Sequence, residues 1–186
     1  MPIEINESEI PDFNTALPQM VVTVEILEVI QEPSKKHAPM DLIKFQILAP
    51  DNVSHAGKLC AVAGRTGRQY VSYSKGALAR SVAALRKVGL KIPAHFSIPT
   101  EEEVASKAYT TIPQIQNITA GLKGCRFMCK ITTEEQYKTD TGRYDGKIEL
   151  DEKGQKVVIG YNTLIDLDRA VSTLELNGAP FDGGPF

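Results

Sequence analysis

Alternating hydrophobicity predicts a mainly β protein: a five-stranded Greek-key barrel with one helix between its third and fourth strands. Three observations predict it. Short segments alternate apolar and polar residues with a period of two. A single strong helical stripe falls between the third and fourth of them. Clusters of Gly, Pro, Asn and Asp separate the segments as turns. The length, 186 residues, suits one domain with a sizeable core.

Residues 1–18 are polar and carry Pro2, Pro11 and Pro18, so they read as a flexible N-terminal arm. "MVVTVEILEVIQE" sets Val22, Val24 and Ile26 against Thr23 and Glu25, a long strand that must bend or bulge. "DLIKFQILA" sets Ile43, Phe45 and Ile47 against Lys44 and Gln46, a second strand. The loop between them holds Lys35, Lys36 and His37. "GKLCAVAG" reads as a third strand over Lys58 to Ala63, with "QYVSYS" extending the sheet. In "SKGALARSVAALRKVGL", Leu78, Val82 and Leu85 line one stripe beside Val88. Ser74 is placed to cap that helix, and Gly89 to end it in a left-handed conformation.

Residues 91–122 form an insertion, with a short helix opened by the capping box Thr100 to Glu103. "CRFMCKITTEEQY" alternates Cys125, Phe127, Cys129 and Ile131 as a fourth strand, and "KVVIGYN" is a fifth. The domain so read covers 19–162. Residues 163–186 read as a helical or irregular segment followed by a flexible Gly/Pro tail. Three strands, a helix and two strands is the order of an OB-fold.

Net charge is −2, but its distribution is uneven. Residues 1–32 carry no Lys or Arg, and residues 52–100 carry no Asp or Glu. A basic middle between acidic ends suits a polyanion-binding core. The acidic N-terminus "MPIEINESEIPDF" is unlike a secretory signal, and the apolar runs are too short to span a membrane. The odd count of cysteines (Cys60, Cys125, Cys129) argues against a disulfide framework, so a cytoplasmic setting is expected.

The signatures of catalysis do not fit. "GRTGRQYVSYSKG" lacks the glycine spacing and the Gly-Lys-Ser/Thr triplet of a phosphate loop. Cys125 and Cys129 have no second pair to complete a zinc site, and His37, His55 and His95 are scattered. Cys60 lies in an apolar run, and no G-x-S-x-G elbow occurs. The reading is therefore of a protein that is not an enzyme and needs no cofactor or metal.

What remains is cation interleaved with aromatic side chains, the composition of single-strand binding surfaces. Arg65, Arg68, Tyr70, Tyr73 and Lys75 form one cluster, with Lys58 on the strand before it. Tyr137, Lys138, Arg143, Tyr144 and Lys147 form a second, and Lys35 and Lys36 a third. On a barrel of this order the three fall on strand three and on the loops joining strands one to two and four to five, the regions with which OB-folds hold oligonucleotides.

On "GRTGRQYVSYSKGALARSVAALRKVGL" and "LKGCRFMCKITTEEQYKTDTGRYDGK", the chain resembles phage-encoded single-stranded DNA-binding proteins of the OB-fold type over roughly 20–162. The resemblance implies coating of single strands in DNA replication, recombination and repair, in the host cytoplasm. The end, "FDGGPF", is similar to the Pro-Phe terminus with which bacterial single-stranded DNA-binding proteins dock on replication and recombination partners, here Pro185 and Phe186. It departs from that pattern in having one acid, Asp182, among its last ten residues. The alternative class is a structural or protein-interaction domain of a virion or replication assembly that binds no nucleic acid itself. The sequence leaves the oligomeric state open.

Overall fold

The structure is a computed structural model that describes residues 9–34, 38–95, 97–106, 118–143, 146–167, 172–176 and 179–180. It is mainly β, and its main sheet is antiparallel. β1 (Met20–Pro33) lies at the centre, between β2 (Pro39–Ala49) and β6 (Arg126–Tyr137). Outside β2 lies β5 (Thr66–Ser72), and β7 (Val158–Asp166) pairs along the far edge of β6. β8 (Ser172–Leu176) continues along β6 where β7 stops, and β9 (Ala179–Pro180) pairs with β8. A separate hairpin joins β3 (Asn52–His55) to β4 (Lys58–Ala61). Helices α1 (Leu78–Lys87) and α2 (Glu101–Ser106) follow β5 in the chain.

The core forms from the alternating positions the sequence marks. Val22, Val24 and Ile26 of β1, Ile43, Phe45 and Ile47 of β2, and Phe127, Cys129 and Ile131 of β6 are all buried together. Val82, Leu85 and Val88 bring α1 onto them. The helix ends as expected: Gly89 has φ +93°, its N–H donates to the Arg86 carbonyl, and Leu90 N–H donates to the Leu85 carbonyl. Its start differs. The cap residue is Ala77, and the Ser74 carbonyl, not its side chain, accepts the N–H groups of Ala77 and Leu78. The capping box forms on α2, where Thr100 and Glu103 bond reciprocally at 2.7 and 3.2 Å.

Burial pushes the Cys125 thiol up to about 11, and burial with the Asp166 carboxylate pushes Cys129 up to about 12. An unfolded chain ionises its thiols near about 8.5, so above that pH it releases protons the folded chain keeps. The thiol contribution is complete below that pH and is lost as pH rises through the folded values. Thermal melts from about pH 8 upward should therefore show a falling midpoint, less steep in a Cys125→Ala, Cys129→Ala chain. Equal slopes in the two chains would refute this account.

Four features depart from the sequence reading. The third strand of the main sheet is β5, whereas "KLCA" pairs with β3 in the separate hairpin. Ala56 and Gly57, with φ +52° and +74°, make the two-residue turn that folds β4 back on β3. Residues 163–166 complete β7, and 172–176 are a strand rather than a helical or irregular segment. The N-terminal arm is docked at two points: Asp12 exchanges backbone hydrogen bonds with Leu59 and Ala61, and Leu17 is in the core. Among the described residues, no helix is long and apolar enough to cross a membrane.

Candidate nucleic-acid interface

The register of β2 and β5 sets the site. Lys44 lies directly opposite Arg68, and Leu42 opposite Tyr70. Arg68 and Tyr70 alternate with Gly67, Gln69 and Val71, so both face outward, and Tyr70 is 47% exposed. Like charges directly opposite one another on a sheet cost stability. On the other side of Lys44, Glu28 approaches at 2.9 Å, and both side chains are about half exposed. A surface pair of this kind is worth about 0–1 kcal/mol, so an anion can draw Lys44 away at little cost. Arg68 has no ion-pair partner among the described residues.

The second wall comes from β7. Thr66–Arg68 face Tyr161–Thr163, and Gln69–Val71 face Leu164–Leu167, so β5 and β7 run parallel, side by side, without a shared hydrogen-bond ladder. Gly67 sets their spacing, because a β-carbon there would overlap the Thr163 carbonyl oxygen and the Phe45 ring. A cleft of about 290 Å³ opens beside this contact, with Lys44, Arg68, Tyr161, Asn162 and Leu27 on its walls. Leu27 is the extra residue of a β-bulge, since Ile26 pairs with Phe45 and Glu28 with Lys44. Tyr161 is 42% exposed. Sequence reading missed Tyr161 and Lys44 as site residues, although the alternation "VVIGYN" already placed an aromatic ring on a strand bordered by polar residues.

Two residues of the opening cluster do other work. Tyr73 is 1% exposed, and its hydroxyl donates to the Asp41 carboxylate at 2.5 Å. Burial and that carboxylate hold its phenol far above the ordinary tyrosine range. It cannot stack a base. The Arg65 guanidinium donates to the carbonyls of Ala61, Thr15 and Asp12 at 2.6, 2.8 and 3.0 Å. It pins the N-terminal arm to β4 and is not available to a phosphate. Both were expected at the interface because composition alone does not say which way a side chain points.

Lys58 lies on the separate hairpin, opposite His55. Lys75 is exposed and meets Glu101 of α2 at 3.3 Å. Neither belongs to the cleft. The connection between β6 and β7 holds the second predicted cluster. Lys156 sits 4.9 Å from the centre of the Tyr137 ring, and the Tyr137 hydroxyl donates to Glu135. Lys138 is paired with Glu149 at 2.7 Å. Arg143 and Lys147 are exposed. At the root of this extension Gln136 bonds Asn162, which lines the cleft. Lys35, Lys36, Tyr144, Pro185 and Phe186 lie outside the described residues.

No group of three or more His, Cys, Asp or Glu among the described residues could hold a metal ion. No protein-family model matches the chain, and no curated protein matches it.

Proposed function

We propose that this protein binds single-stranded DNA on an OB-fold, without strict sequence preference and without catalysis. The observation that carries the reading is the Lys44–Arg68 cross-strand pair of like charges, set beside the exposed rings of Tyr70 and Tyr161. Cations placed at a cost to the fold, next to aromatic faces, suit a ligand with phosphates and unstacked bases. The strand order β5-β2-β1-β6-β7, with its two end strands β5 and β7 lining the same clefts, supports a barrel reading. Helix α1, between β5 and β6 in the chain, supports the same reading. Arg143 and Lys147 extend the cationic surface along the β6–β7 connection.

Fluorescence titration of a labelled oligo(dT) at two salt concentrations tests the reading. Tyr70→Ala and Tyr161→Ala should each cost about 1–3 kcal/mol of binding. Arg68→Ala should reduce the magnitude of the salt slope by about 0.7. Undetectable binding at low salt would overturn it.

One observation favours a second reading, a protein-interaction domain. Leu150, Val158 and Ile159 are exposed along the β6–β7 extension. A large oligomer by light scattering, with no oligonucleotide affinity, would support that reading instead.

A further inference from the structure

A second cleft, of about 270 Å³, lies farther along the same seam between β5 and β7. Its walls include Tyr70, Arg80 of α1, Thr132 and Glu134 of β6, and Leu164 and Asp166 of β7. Its chemistry differs from that of the first. The Lys44–Arg68 cleft has no acidic side chain in its walls, whereas this one has two. With two carboxylates against the one guanidinium of Arg80, these walls carry no net positive charge to hold a polyanion backbone. The carboxylates do accept hydrogen bonds, and an ionised carboxylate does nothing else. Glu134 is exposed, and its carboxylate has no hydrogen-bond or ion-pair partner among the described residues.

We propose that this cleft reads a base, and that it prefers bases carrying an exocyclic amino group, cytosine over thymine among the pyrimidines. The inference rests on the single-strand reading above. Arg68 and Tyr70 are two residues apart on one face of β5, roughly 7 Å, a distance one extended nucleotide covers. A strand whose phosphate rests on Arg68 thus brings a base onto the Tyr70 ring. Stacking there is indifferent to base identity. The base edge is not: cytosine presents an N4 amino donor where thymine presents the O4 acceptor. Facing Glu134, the donor forms a charge-assisted hydrogen bond and the acceptor meets a like partial charge. Arg80 supplies only donors, so it holds the carbonyl that both pyrimidines share.

The test uses the full chain and oligo(dC), oligo(dT) and oligo(dU) of equal length at one salt concentration. Oligo(dC) should bind about tenfold more tightly than oligo(dT), as one hydrogen bond to a charged group implies. Oligo(dU), which lacks the methyl group but keeps O4, should behave like oligo(dT). Glu134→Gln, which can donate as well as accept, should bring the oligo(dC) to oligo(dT) ratio close to one. Its retained oligo(dT) affinity would show that the variant is folded. Equal affinity of the unmodified chain for oligo(dC) and oligo(dT) overturns the base preference, a full ratio in Glu134→Gln overturns its assignment to Glu134, and either result leaves single-strand binding standing. Binding to none of the three at low salt overturns the single-strand reading and this inference with it.

Discussion

Tyr73→Ala is expected to destabilise the protein by about 3–5 kcal/mol, the range for deleting a large buried aromatic side chain. The ring is among the largest fully buried side chains, so its removal leaves a cavity in the main core. The hydroxyl matters separately. The buried Asp41 carboxylate also accepts from the Thr119 hydroxyl at 2.6 Å, so Asp41 ties β2 to the segment after β5 and to the one before β6. Tyr73→Phe keeps the ring and removes one donor from a buried carboxylate, at a cost of about 1–3 kcal/mol. Denaturant unfolding monitored by circular dichroism reads both. The contrast with Tyr70, three residues earlier, is the informative part. Tyr70→Ala should leave stability within about 0.5 kcal/mol, as exposed substitutions do, and lower oligonucleotide affinity instead. Equal stability losses at the two positions would show that the assignment of Tyr70 to the surface and Tyr73 to the core is wrong.

Gly67→Ala is expected to cost about 1–3 kcal/mol and to weaken oligonucleotide binding in the molecules that remain folded. The added methyl would meet the Thr163 carbonyl, which is backbone, and the ring of fully buried Phe45. Neither can rotate away, so β5 must move from β7 and the cleft that both strands line must widen. Gly64 serves as the internal control for space, because a β-carbon there meets nothing within 4 Å. Its φ of +87° makes any cost at that position one of backbone strain rather than crowding. An unchanged unfolding midpoint for Gly67→Ala would mean that the two strands separate freely.

The long strands and the one strong helix were legible because burial leaves a period in the sequence. Val22, Val24 and Ile26 on β1, and Cys125 with the alternating residues of β6, announce one buried face each. β5 was harder, because its inward positions are Gly67, Gln69 and Val71, and two of these are not apolar. Its alternation is between surfaces, not between oil and water, so the nearby apolar run over residues 59–63 reads as the third strand instead. The continuation of the chain into residues 163–166 and 172–176 was hidden for a related reason. "LIDLDRAVSTLEL" fits a helical spacing as well as an extended one, and pairing with β6 decides between them.

Local pattern and composition were enough for the β class, the helix at Leu78–Lys87, its glycine end, the capping box of α2, and a basic, aromatic stretch before α1. Each depends on neighbours within a few residues, and such forces are written into the sequence directly. Register and side-chain direction were not. Tyr70 and Tyr73 belong to one short basic stretch, yet one is exposed and the other is sealed against Asp41. Arg65 and Arg68 diverge in the same way, one holding three backbone carbonyls and the other facing solvent opposite Lys44. The cleft joins Lys44, Arg68 and Tyr161 from three strands far apart in the chain. Strand pairing across such separations sets who meets whom, and a shift of one residue would turn every one of these side chains to the other face.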